Sequence, residues 1–161
     1  MKRILKLVLV NVFFGGLGFF FGKRSMGRRI GEGEEQLGKQ LEFYKLLVAW
    51  VEIKQKGKSL VEYFSKRSYK TVAIYGMKEL GERLFEELEN TDVQVKYTID
   101  KNLAEMYKNT KYKTVASSDS LEAVDVIVVT ATHYFATIYA ELARNTDAEI
   151  VSLEDVIYEI V

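Results

Sequence analysis

From Thr71 to Val161, short runs of β-branched residues alternate with stretches of helical periodicity. This alternation is typical of βαβ units, in which parallel strands share one sheet and helices pack on its faces. It restricts the fold more than any other feature, because few architectures accept strands and helices in regular alternation. The predicted strands cover residues 71–75, 93–99, 113–116, 125–130 and 148–151.

Helices are predicted between most of these strands. Apolar spacing predicts helices over residues 78–89 and 134–144, with a weaker one over 102–108, and Ser152 with Asp155 is expected to cap a terminal helix. Right-handed crossovers between five parallel strands predict a small doubly wound α/β sheet. We expect the strand order 3-2-1-4-5 and assign residues 70–161 to this domain.

A helical connector is predicted before the sheet, over residues 34–67. Within residues 34–56, one helical stripe is formed by Leu37, Leu41, Tyr44, Leu47, Val48 and Val51. Two interpretations stay open: the stripe packs on the domain, or it forms a homodimer with a second copy of the chain. Ser59 and Glu62 have the spacing of a capping box, which predicts a short helix ending near Arg67.

The N-terminal residues are basic and apolar. Residues 1–30 carry seven basic and no acidic side chains, whereas the rest of the neutral chain has 16 basic against 23 acidic. Sixteen uncharged residues run from Leu7 to Gly22 between basic flanks, slightly short of the roughly 20 that cross a membrane. The first segment of the chain covers residues 1–22. Within it, we expect residues 4–22 either to contact the inner face of the membrane or to pack on protein. Residues 23–33, with three glycines, are predicted to be a flexible linker.

The chain has no cysteine and one histidine, His133. Disulfides, zinc-thiolate sites, iron–sulfur clusters and thiol nucleophiles are therefore excluded, and we expect no metal site. Because basic and acidic side chains number 23 each, nothing in the overall charge predicts nucleic-acid binding.

The last 104 residues contain only two glycines, Gly76 and Gly81, and the chain has no proline. Gly76 follows the first predicted strand, where a missing Cβ lets a ligand phosphate approach the backbone, and Gly81 suits close packing of the next helix. Between them, after Met77, Lys78 stands where the dinucleotide fingerprint has its middle glycine. Lys78 is expected either to contact a phosphate or to be a solvated surface lysine.

Polar residues follow the second and fourth predicted strands. Asp100 comes 24 residues after Gly76, near the spacing at which an acidic residue binds a ribose hydroxyl, but it can equally cap a following helix. Thr130, His133 and Tyr134 can bind a sugar or a base, or simply form an exposed loop. No nucleophile or orienting carboxylate accompanies His133, so no catalytic residue is assigned and enzymatic activity stays open.

Four segments carry a resemblance to a known family. The segments are Ala73 to Leu84, Tyr97 to Asn102, Ile127 to Thr130 and Ile150 to Asp155. Together they resemble the Rossmann-like domain found at the N-terminus of bacterial sugar O-acyltransferases and in sugar C-methyltransferases. The resemblance implies a cytoplasmic domain of bacterial polysaccharide synthesis that binds a nucleotide sugar or NAD. The implied contacts are Gly76, Gly81, Asp100 and the loop of residues 130–134.

Two departures from that family keep two functions open. Lys78 replaces the middle glycine, and we expect neither the left-handed β-helix nor the methyltransferase module that carries the family's chemistry. The first hypothesis is a nucleotide or nucleotide-sugar binding protein that is enzymatic only with a partner. The second is a non-catalytic adaptor, in which helix 34–56 or the apolar N-terminus recruits a glycosyltransferase to the membrane.

Overall fold

The computed structural model describes residues 33–101 and 112–161. The chain divides into two compact units, Met1–Tyr44 and Lys45–Val161. In the first unit, the described residues 33–44 are helical. The predictions for residues 4–22, 23–32 and 102–108 lie outside the described residues. Among the described helices, none combines the length and the apolar character needed to cross a membrane.

The second unit is built on a five-stranded parallel sheet. Its strands are β1 (Thr71–Tyr75), β2 (Gln94–Ile99), β3 (Thr114–Val115), β4 (Val126–Val129) and β5 (Glu149–Ser152). They pair in the order β3-β2-β1-β4-β5, and every pair is parallel. The predicted α/β class and strand order are therefore confirmed.

Helices alternate with these strands. Residues 33–55 are helical and are called α1; the others are α2 (Val61–Lys66), α3 (Glu79–Leu88), α4 (Phe135–Leu142), preceded by a 3₁₀ turn (Thr132–Tyr134), and α5 (Leu153–Ile160). Ser152 caps α5 as predicted, because its hydroxyl accepts a hydrogen bond from the Glu154 N–H at 3.3 Å. Before α2, the Glu62 carboxylate accepts from the Ser59 N–H at 3.2 Å, which is one half of the expected capping box.

The central strands β1 and β4 are buried on both faces. Ala73 pairs with Ile127 and Tyr75 with Val129, and these four side chains belong to the core under α4. Since side chains alternate along a strand, Val72, Ile74, Val126 and Val128 point to the opposite face, and all four are fully buried. Burial on both faces explains why these strands appear in the sequence as nearly continuous apolar runs.

The interpretation of helix α1 as packed through its predicted stripe is wrong. The face buried in the second unit consists of Leu46, Ala49, Trp50 and Ile53, whereas Leu37, Leu41, Tyr44, Val48 and Val51 of the stripe are exposed and its Leu47 is half-buried. The second unit, Lys45–Val161, therefore extends beyond residues 70–161, because the second half of α1 contributes core side chains to it.

The buried face is fixed by one carboxylate on α3, that of Glu87. It accepts hydrogen bonds from the indole N–H of Trp50 at 2.6 Å, the Leu60 N–H at 2.7 Å and the Ser59 hydroxyl at 2.9 Å, and it pairs with Lys54. Burial alone would raise the pKa of Glu87, but these donors outweigh burial and the pKa is lowered. Glu87 thus links α1, α2 and α3 as a charged residue.

Candidate functional site

The carboxyl edge of the sheet has a sharp turn after β1. Gly76 adopts φ +88°, a left-handed conformation that side chains other than glycine rarely accept. A Cβ added to Gly76 would also lie 2.8 Å from the Thr130 hydroxyl oxygen, closer than van der Waals contact allows. The turn therefore requires glycine for its backbone angles and for the space beside it.

The second glycine allows helix α3 to lie directly against this turn. A Cβ on Gly81 would overlap with the carbonyl oxygen of Gly76 and would lie 3.3 Å from the Met77 sulfur. Gly81 is buried in the first turn of α3. The two glycines therefore have the two geometric roles expected from their positions in the sequence: a tight turn after a strand and close packing of the next helix.

Thr130 connects this turn to β4. Its N–H donates to the Tyr75 carbonyl at 3.0 Å, and its hydroxyl lies 3.0 Å from that oxygen and 2.7 Å from the Gly76 carbonyl oxygen. Thr130 is buried, so these contacts hold the ends of β1 and β4 together. In a doubly wound sheet the ligand crevice lies at this point, because the chain crosses over in opposite directions from β1 and from β4.

Asp100 lies on the other side of the same turn. The N–H of Gly76 donates to the Ile99 carbonyl at 2.9 Å, which brings the end of β2 beside the turn. The Asp100 carboxylate is then 3.5 Å from the N–H of Met77, at the outer limit of hydrogen bonding. The structure thus brings together five of the predicted site residues, namely Gly76, Met77, Gly81, Asp100 and Thr130.

The three other predicted residues lie at the surface around this turn. Lys78 immediately precedes α3 in extended backbone conformation, and its side chain is exposed. His133 and Tyr134 are exposed in the 3₁₀ turn that follows Thr130 by two residues. An ammonium, an imidazole and a phenol are therefore available to solvent around the glycine turn, whereas Thr130 and Met77 are buried.

Sequence reasoning missed a second polar group at the same edge. The Tyr75 hydroxyl is buried under α4 and makes no hydrogen bond of normal geometry with residues 33–101 and 112–161, although the Lys101 ammonium lies close enough to lower its pKa. Nearby, Glu141 of α4 accepts from the Ser117 hydroxyl at 2.5 Å and pairs with Lys101 at 2.9 Å. These residues are far apart in the sequence, so no local spacing could have indicated the cluster.

Burial and neighbouring charges together shift the pKa values of Tyr75 and Glu141 in this second polar group. Burial raises the pKa of Tyr75, while the Lys101 ammonium lowers it and the Glu141 carboxylate raises it. The hydrogen bond from Lys101, followed by that from Ser117, lowers the pKa of Glu141. The site therefore offers a neutral hydroxyl beside an ion pair, next to the glycine turn, and these are groups that can hydrogen-bond the hydroxyls of a sugar.

These features define a doubly wound parallel α/β domain with a glycine turn at the carboxyl edge of its sheet. Comparison with protein families, with curated proteins and with solved structures finds no match to this chain.

Proposed function

We propose that this protein binds a nucleotide, either a nucleotide sugar or NAD, at the carboxyl edge of β1 and β4. The observation that carries the proposal is the glycine turn. Gly76 has a left-handed backbone, and Gly81 lies so close to the Gly76 carbonyl that no side chain fits. A turn of this shape lets a phosphate approach the backbone and places it near the N-terminus of α3.

Two carboxyl-edge features support a ribose or sugar beside that phosphate. Asp100 follows β2 and lies next to the turn, where its two oxygens can accept from a vicinal diol. The buried Tyr75 hydroxyl lies beside Lys101 and Glu141, and a ligand hydroxyl that reaches it can exchange a hydrogen bond with it. Both groups favour a ligand with several hydroxyls.

Lys78 determines how the phosphate is held in this proposal. In the standard fingerprint the middle residue is glycine, and the pyrophosphate contacts the backbone there. Here the exposed Lys78 ammonium is positioned to meet phosphate charge from solvent. The interaction is a solvated one and is therefore weakened by salt.

The biological setting that we propose follows the resemblance to the sugar O-acyltransferase domains. The protein would act in the cytoplasm, at the inner face of a bacterial membrane, in surface-polysaccharide synthesis. The apolar and basic residues 4–22 support membrane contact. Because the compact unit provides one small domain, we propose that any chemistry requires a partner such as a glycosyltransferase.

One observation favours a second candidate, the non-catalytic adaptor. Helix α1 has an exposed apolar face made of Leu37, Leu41, Tyr44, Val48 and Val51, which provides a surface for a protein partner. If Lys78 has removed nucleotide binding, recruitment through such a surface is the function that is left.

A thermal-shift screen of the full chain with NAD, NADP, UDP-sugars, CDP-sugars and S-adenosylmethionine distinguishes the two candidates. A ligand at about 100 times its Kd stabilises the folded state by about 2.7 kcal/mol, which gives a clear rise in Tm. Absence of any shift would favour the adaptor.

Lys78→Gly is the matched variant for this screen. If Lys78 contacts the phosphate, the ligand-induced shift shrinks in Lys78→Gly and in wild type at high salt. If the backbone holds the phosphate, the shift grows, because the variant restores the middle glycine.

A further inference from the structure

Helix α1 has two apolar faces, and among the described residues only one of them is buried. The buried face packs in the second unit, Lys45–Val161, and consists of Leu46, Ala49, Trp50 and Ile53. The exposed face consists of five side chains that are 47–66% exposed, namely Leu37, Leu41, Tyr44, Val48 and Val51. We call these five residues the heptad seam.

The spacing of the heptad seam is that of a coiled coil. Successive members are four, three, four and three residues apart, which is the alternation of d and a positions in a heptad repeat. A face with this spacing is matched by another helix of the same repeat, because each side chain enters a hole between four side chains of the partner. The pattern therefore specifies the kind of partner: an α-helix that runs alongside α1.

The seam and the core face point in opposite directions. At 100° per residue, Val48 and Val51 lie on the side of the helix opposite to Leu46 and Ile53. A partner helix can therefore contact the seam while the core contacts of the compact unit stay in place.

We propose that the partner is a second copy of this chain, and that the two α1 helices form a parallel, in-register coiled coil. A two-fold interface of this kind is self-complementary, so each seam residue meets its own counterpart. Side chains of this size at half exposure have on the order of 100 Å² each to bury, so two seams account for roughly 1,000 Å². That is about the area that a specific interface needs.

The residues beside the seam are compatible with this pairing. In a parallel coil each g position lies near the e position five residues later on the partner. Here Gln40 would lie near Lys45 of the second copy, and Leu47 near its Glu52. No like charges face each other, and Lys54, the next g residue, is already paired with Glu87. The dimer does not depend on nucleotide binding, so either proposal can fail alone.

The test measures the mass of the full chain by light scattering or sedimentation in an uncharged detergent, over a concentration series. We expect the wild type to dimerise and the double variant Leu41→Glu, Val48→Glu to be monomeric with an unchanged circular dichroism spectrum. Tyr158→Glu is the matched control, because Tyr158 is an equally exposed aromatic residue on α5, and it should stay dimeric. A monomeric wild type, or a double variant that still dimerises, would overturn the proposal.

Cysteine cross-linking tests the register. The chain has no cysteine, so a single Tyr44→Cys variant reports only on its own position. In the parallel coil the two residues at position 44 are adjacent, and oxidation should produce a disulfide-linked dimer. Ser65→Cys, at an exposed position on α2, is the control for random collisions and should cross-link far less. Equal cross-linking of both variants would contradict the in-register pairing.

Discussion

The two edges of the sheet each place an aspartate beside β1, and the two aspartates have different surroundings. At the amino edge, Asp125 accepts hydrogen bonds from the N–H groups of Lys70 and Thr71, both at 2.7 Å, and from the Thr71 hydroxyl at 2.9 Å. At the carboxyl edge, Asp100 lies 3.5 Å from the N–H of Met77.

The difference lies in what each carboxylate contacts: Asp125 joins two strands, whereas Asp100 lies beside the candidate ligand site. Asp125 connects the starts of β1 and β4 through short bonds, so its charge is used by the fold. Asp100 stands beside a turn whose backbone is shaped by two glycines. We infer that the two aspartates differ in role: Asp125 acts on stability, whereas Asp100 acts on recognition of the proposed ligand.

The largest expected effect is that of Gly81→Ala at the carboxyl edge. The added methyl group would overlap with the Gly76 carbonyl, so α3 must move away from β1, at a cost of about 3 kcal/mol in unfolding free energy. Urea denaturation measures this loss. Gly38→Ala is the control, because no atom lies within 4 Å of its added Cβ and alanine favours a helix. If Gly81→Ala were as stable as wild type, the close contact between helix and turn would be refuted.

Gly76→Ala should be less damaging, since it strains the turn without moving a helix. The residue must hold φ +88° and place a Cβ 2.8 Å from the Thr130 hydroxyl. Gly57→Ala is the matched control, because Gly57 also has a positive φ, +70°, but open space around it. We expect about 1–2 kcal/mol for Gly57→Ala and about 1 kcal/mol more for Gly76→Ala, measured by denaturant unfolding. Equal losses of unfolding free energy in the two variants would mean that the Thr130 hydroxyl moves away from the added Cβ without destabilising the fold.

At the amino edge, Asp125→Ala should lower the unfolding free energy by only about 1 kcal/mol, because water can replace part of the lost acceptor at this exposed site. The N–H groups of Lys70 and Thr71 lower the pKa of Asp125 below its ordinary 3.8. Its stabilisation is therefore complete above about pH 4 and is lost as the pH falls through the lowered pKa. Unfolding midpoints of wild type and variant, measured from pH 7 down to pH 2, should converge at the acid end. A constant difference across this range would show that the charge of Asp125 contributes nothing.

The sheet could be predicted from the sequence because its signals are local. The run Thr71–Tyr75 is apolar and β-branched, and the strand has those same bounds. The tight turn at Gly76 and the close helix packing at Gly81 were also predictable, because these are the only glycines in the last 104 residues and they flank the start of a helix.

The features that the sequence did not reveal depend on contacts between distant residues. The buried face of α1 includes Trp50, whose indole N–H bonds to Glu87, 37 residues away in the sequence. The helical stripe in the sequence left two interpretations open, packing on the domain or a homodimer, and five of its six residues are exposed. The second polar group likewise comes from several separate elements, since it consists of Tyr75, Lys101, Ser117 and Glu141. No spacing within one segment of the sequence predicts that these residues meet.

The smallest expected change in stability, and the most specific one in binding, is that of Asp100→Asn. Asparagine keeps the size of the side chain and one acceptor oxygen but removes the charge that strengthens a bond from a ribose hydroxyl. We expect Tm to change little, because asparagine keeps an acceptor oxygen for the contact with the Met77 N–H. Affinity for the nucleotide that gives the largest thermal shift should fall about tenfold, as measured by calorimetry. If affinity is unchanged and stability falls by about 1 kcal/mol, Asp100 is a structural cap, and the two aspartates would not differ in the way proposed.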